Sequence, residues 1–217
     1  MADARFYDKT KIAAMGELKL PSVTTITGCA MKWALMYFYA KHGLKKAKEI
    51  AAEAAAIGTG VHDFIIDISK GNKLGKPDTK FAQAIANFEA FRKAFKPEPV
   101  LIDFPVFSAK ERYAGCLDEV DMLDGVLVLC DWKTSKAIYD DYKMQVEAYY
   151  RALLEMQEAG LVKLPAEVKE LWLVQFDKES MFDEKKHIVK ITPNEQRFKA
   201  FLGLRDYFEW ANLLKSI

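Results

Sequence analysis

The chain has little cysteine and little histidine, three of each, and no CxxC pair. That withholds the ligand sets of a cysteine-rich zinc or iron–sulfur site. Cys29, Cys116 and Cys130 are an odd set, so a disulfide framework is not indicated and a reducing compartment is the simplest reading. Charge of one sign is missing too. Lys and Arg number 32 against 31 Asp and Glu, a net +1, which excludes a histone-like or tail-driven nucleic-acid binder and confines any basic footprint to a local patch. Long apolar runs are absent. The longest, Ala30 to Ala40, contains Lys32 and spans only about half a bilayer, so no membrane partner is expected. The amino terminus, MADARFYDKTK, has no apolar h-region and does not read as a secretory signal. Repeats and low-complexity tracts are also lacking. What is present is an apolar fraction of 51% with 29% charged residues in 217, the composition of one folded domain rather than of a disordered chain.

Periodicity divides the chain. Residues 1 to 21 read as extended or loop-like, followed by a short β-branched run, Ser22 to Thr27. Apolar positions 30, 33, 34, 37 and 38 repeat at helical spacing, and His42-Gly43 ends that helix. Its Trp33 and Tyr37 read as core packing, with stacking on single-stranded bases as the alternative. A second helix is expected over 46 to 69, with Gly58 and Gly60 inside it. Each costs up to about 1 kcal/mol there, so either the backbone approaches something closely or the helix breaks. Phe81 to Phe95 is a third helix, ended by Pro97 and Pro99. Strands follow at 100–108, 113–123 and 126–133, the last two joined by Asp124-Gly125, a two-residue turn signal. Then come a helix over 136–159, an apolar strand at 171–176 that reads as central, a short strand at 187–191 and a closing helix through Leu213. The order predicts an α/β or α+β layer domain with a mixed sheet.

The hairpin carries the chemistry. Asp131 and Lys133 are two apart on one strand and leave the same face. With a two-residue turn and no bulge, Asp118 falls opposite Asp131, and Cys116, Asp118 and Val120 share a face. Two facing aspartates repel unless a positive group intervenes, and carboxylate ligands suit Mg²⁺ or Mn²⁺. The alternative is a solvated edge with unrelated acids. Glu119 points to the opposite face. His62, in Gly58-Thr59-Gly60-Val61-His62, joins the site only if its helix packs over this sheet. Gln145 and Tyr149 lie four apart on one helical face.

In this order, GTGVH at 58–62, GCLDEVD at 115–121, DWKT at 131–134 and QVEAY at 145–149 resemble the PD-(D/E)XK nuclease superfamily, in its RecB-like exonuclease branch. PSVTTI at 21–26 resembles a segment ahead of the core in phage exonucleases and the mitochondrial genome-maintenance exonuclease. The resemblance implies a restriction-endonuclease-like core with a central mixed sheet flanked by helices. One nuclease domain would fill 1–217, with 1–45 an amino-terminal extension packed on it. It implies Asp118, Asp131 and His62 as ligands of Mg²⁺, with Mn²⁺ substituting, and the backbone carbonyl of Trp132 adding an oxygen. Lys133 would be the catalytic lysine. Gln145, Tyr149 and Thr134 would shape the site and contact DNA. Some members carry a four-cysteine iron–sulfur cluster, but no cysteine follows Cys130, so none is expected. A stand-alone phage-type or recombination exonuclease is then favoured.

The expected activity is Mg²⁺-dependent hydrolysis of linear DNA, single-stranded or duplex, from a free end. A single-strand-binding or recombination protein would be the further partner, and the cytoplasm (the host's, if phage-encoded) the compartment. Neighbouring carboxylates favour charged Lys133, which points to orientation and charge stabilisation rather than general-base work. An endonuclease on the same fold and a non-catalytic DNA-binding or assembly protein are the alternatives. Two lysine clusters, Lys41, Lys45, Lys46 and Lys48 and then Lys70, Lys73, Lys76 and Lys80, are candidate phosphate tracks or ordinary solvated faces.

Overall fold

Two strands joined by Asp124-Gly125 organise the molecule. The computed structural model describes residues 5–213 apart from 31 and 74, so the extreme amino terminus and Leu74 of the 71–77 turn lie outside the described residues. Asp124 and Gly125 have φ of 47° and 81°, the double positive φ that a tight hairpin loop demands. They close β4 (Tyr113–Leu123) onto β5 (Val126–Lys133), with Leu123 opposite Val126 and the register unbroken to Glu119 opposite Cys130.

Around this hairpin the order is β1 (Phe6–Tyr7), β2 (Leu20–Pro21), α1 (Val23–Thr27), α2 (Trp33–His42), α3 (Leu44–Ser69), α4 (Ala82–Phe95) and β3 (Glu98–Ser108). After the hairpin come α5 (Asp140–Glu158), β6 (Val168–Gln175), α6 (Glu184–His187), β7 (Ile188–Ile191) and α7 (Glu195–Leu213). The main sheet runs β3-β4-β5-β6-β7. Only β5 and β6 are parallel, connected through α5. The mixed sheet flanked by helices is the architecture expected from the element order. Its middle strand is β5, however. The apolar run of β6, expected to be central, lies one position out.

The faces of β5 divide the core. Leu127 and Leu129 pack with α1, α5 and α7, whereas Val128, Cys130 and Trp132 pack with α3 and α4. On the second face Phe88 and Phe91 of α4 meet Trp132 and Phe176 edge-on, a geometry that aromatic quadrupoles favour. On the first, Glu147 of α5 is wholly buried and accepts bonds from Arg151, Arg197 and the Asn194 backbone, tying α7 to α5.

Three local expectations change. The β-branched run 22–27 folds as helix α1, because Ser22 Oγ caps it by accepting from the Thr25 N–H and because Val23 and Ile26 are buried on one side. Helix α2 does not bury its aromatic cluster: Trp33 is 70% and Tyr37 80% exposed, since α2 packs chiefly against α3. Strict alternation along β4 fails as well. Leu117 and Val120, three apart, share the core beneath α5, so the side-chain faces reverse at Asp118–Glu119. The register puts Asp103, with φ 50°, across from this point. Cys116, Asp118 and Val120 therefore do not form one continuous face.

Candidate active site

The reversal at Asp118 aims its carboxylate along the end of the hairpin. Ladder pairing stops at Glu119 and Cys130, and Asp118 Oδ2 takes the Trp132 N–H at 2.6 Å. Asp118 Oδ1 faces His62 Nε2 at 2.7 Å. The helix carrying His62 is unbroken across Gly58 and Gly60, so close approach accounts for the glycines. A Cβ on Gly58 would stand 3.2 Å from Thr134 Oγ1, and one on Gly60 would stand 3.3 Å from the Phe81 ring. Val61 and Ile65 are buried on that same stretch, which presents His62 to Asp118.

Asp131 and Lys133 share their face of β5. Lys133 Nζ is 2.5 Å from Asp131 Oδ2, a close buried ion pair. Gln145 Nε2 reaches Asp131 Oδ1 at 3.3 Å and donates to Tyr149 Oη at 3.0 Å. Burial pushes the Asp131 carboxyl up; Lys133 opposes that and the Asp118 charge adds to it. For Lys133 burial works downward, but the Asp131 and Asp118 carboxylates outweigh it and raise the ammonium. His62 is likewise raised, burial being outweighed by its bond to Asp118. The site thus holds its lysine charged.

A cleft of about 620 Å³ opens over these groups. His62, Trp132, Lys133, Thr134 and Gln145 line it, together with Arg5, Thr24, Ser135, Tyr142 and Lys178. Among solved structures, a crystal structure of an alkaline exonuclease from Laribacter hongkongensis is similar to this chain, with a TM-score of 0.39 and 10% identity over 90% of this chain and 92% of that one. No protein-family model and no curated protein matches the chain.

His62, Lys133, Thr134 and Gln145 line one cleft, and Asp118 and Asp131 lie behind it against His62 and Lys133. Tyr149 is a correction. Its ring is 3% exposed and packs on Gly115, so it reaches a substrate only through Gln145. Glu119 is outside the cleft lining and buried near Asp121, on the side of α3 and α4, because the faces reverse at Asp118–Glu119 and not through simple alternation. Tyr142 was missed, although it sits three residues before Gln145 on the same helical face. Its ring centroid is 4.7 Å from Lys133 Nζ. Arg5 and Lys178 come from distant segments with no motif to mark them, whereas Thr24 belongs to PSVTTI at 21–26.

No three His, Cys, Asp or Glu side chains among the described residues are already gathered on a single ion-sized point. The donor set nevertheless fits a hard divalent cation. Asp118 meets the His62 imidazole, and Asp131 is buried near enough to feel the Asp118 charge, an oxygen and nitrogen set of the kind such a cation takes. Neighbouring ligands of an octahedral ion with bonds of about 2.1 Å stand roughly 3 Å apart. The 2.7 Å between His62 Nε2 and Asp118 Oδ1 is within a small shift of that.

Proposed function

We infer that this chain is a divalent-metal-dependent nuclease that hydrolyses phosphodiester bonds of linear DNA from a free end. One observation carries the reading: His62 and Lys133 line a cleft, each backed by a carboxylate, Asp118 and Asp131, and the other cations of that lining are Arg5 and Lys178. Asp118, Asp131 and His62, with the Trp132 carbonyl, would hold Mg²⁺ or Mn²⁺. Such an ion supplies an activated water and neutralises the phosphoryl oxygens.

The chain's own groups do the rest. Lys133, kept protonated by its two carboxylates, donates to the attacking water or to a phosphate oxygen and stabilises charge as it develops. Gln145 holds Asp131 in place, and Tyr149 holds Gln145. Tyr142 lies against the ammonium and limits its swing. Arg5 and Lys178 offer counter-charge to the flanking phosphates. This reading places the protein in DNA recombination or processing, as a phage-type enzyme.

The test is linear single- and double-stranded DNA labelled separately at each end, beside a covalently closed circle, with Mg²⁺, Mn²⁺ or EDTA. Wild type is expected to digest linear DNA only, with metal only. Lys133→Ala is expected to lose at least about a hundredfold in rate while still binding DNA. Cutting of the circle would convert the reading to an endonuclease. Binding without cleavage under either metal would convert it to a DNA-binding or assembly protein.

A further inference from the structure

Helix α2 presents an aromatic ridge that no described part of the chain covers. Trp33 and Tyr37 are one turn apart, and Met36 between them is 53% exposed. Among the described side chains of the helix, Phe38, Tyr39 and His42 are half-buried. Large aromatics left in water at helical spacing mark a contact surface more than a packing surface.

The ridge is continuous with the cleft. Lys32, at the start of α2, pairs with Asp141 at 2.6 Å. The next residue along α5, Tyr142, lines the cleft and covers Lys133. Tyr139 stands 5.5 Å from Tyr142, ring to ring, and is 43% exposed. Rings therefore run outward from the reacting groups: Tyr142, Tyr139 and, across the Lys32–Asp141 bridge, Trp33 and Tyr37. The same helical hairpin carries Lys41, Lys45, Lys46 and Lys48, all exposed, against the acids Glu49 and Glu53. Flat apolar rings alternating with cations match an unpaired nucleic-acid strand, whose bases offer π faces and whose backbone offers anions. A duplex hides those faces.

We propose that Trp33 and Tyr37, with Tyr139, form a base-stacking track that delivers a single strand to the cleft, the lysines of the α2–α3 hairpin holding its phosphates. The proposal rests on reading the cleft as a nuclease site and deepens that reading by naming the unpaired strand as what is engaged. Binding is measured in EDTA, so that it is separated from cleavage, by titrating labelled oligothymidylate and a duplex of equal length at several salt concentrations.

The Trp33→Ala/Tyr37→Ala double variant is expected to bind the single strand at least about tenfold more weakly, with an unchanged salt slope because no phosphate contact is removed. Its duplex affinity should be unaltered. Trp33→Phe should keep most of the single-strand affinity while losing part of the intrinsic fluorescence quench that the strand produces. Circular dichroism melts check that the variants fold, and if the double variant does not, the quench lost in Trp33→Phe decides. Equal single-strand affinity in wild type and variant, an equal loss for duplex and single strand, or no oligonucleotide binding by wild type would each overturn the track. Failure of metal-dependent digestion, with the stacking effect intact, would instead overturn the nuclease reading alone.

Discussion

At Gly115 the absence of one carbon holds the site together. A Cβ there would lie 2.4 Å from Tyr149 Cε1, a contact no relaxation of a buried ring absorbs cheaply. Gly115→Ala is expected to cost about 1–3 kcal/mol, seen as a lower melting temperature. Activity should fall with it, because Tyr149 positions Gln145 and Gln145 positions Asp131. Asp121 shows a second single-residue effect. It is wholly buried and its carboxyl is pushed up to about 7 by burial, from 3.8. The folded state then binds this proton more tightly than the unfolded one, so stability falls as pH rises from about 4 to about 7. Asp121→Asn removes that loss, and in paired melts at pH 5 and pH 8 the variant should gain on wild type at the higher pH. The residues readable in advance were those tied by short spacing: Asp131 with Lys133, Asp118 across a turn, His62 beside two glycines. Arg5 and Lys178 were not, because only tertiary folding brings them to the cleft.

At the scale of elements, one buried carboxylate holds three of the polar groups between α5 and α7. Glu147→Ala would strip Arg151, Arg197 and the Asn194 N–H of their buried acceptor. The expected cost is about 3 kcal/mol, read as a lower urea midpoint at unchanged slope. Elements with strong local signals were readable. The β4–β5 hairpin follows from Asp124-Gly125, and α4 from its phenylalanine spacing. Helix α1 escaped because a cap and two buried side chains overrode β-propensity. The reversal at Asp118 escaped because alternation carries no mark of an irregularity imposed by a neighbouring strand. The exposure of α2 escaped because periodicity reports an apolar face and not whether anything covers it.

For the whole molecule, the proposed ion links activity to stability. A cation that binds only the folded form stabilises it by about 2.7 kcal/mol at a hundred times its dissociation constant. Adding Mg²⁺ or Mn²⁺ should therefore raise the melting temperature of wild type, and Asp131→Asn should abolish the rise even where the variant is fully folded. An unchanged wild-type melt over the whole metal titration would count against a folded-state site. Helix α3 has a mechanical consequence. Its 26 residues make a rod of about 39 Å, gripped by the core at Val61, Ile65 and Ile66 and exposed over 44–56 except at Ala47. Such a cantilever has its root beside His62, where Val61 is buried. The far end, at Leu44, stands about 27 Å from His62, so the rod is a lever whose short arm carries the imidazole that meets Asp118.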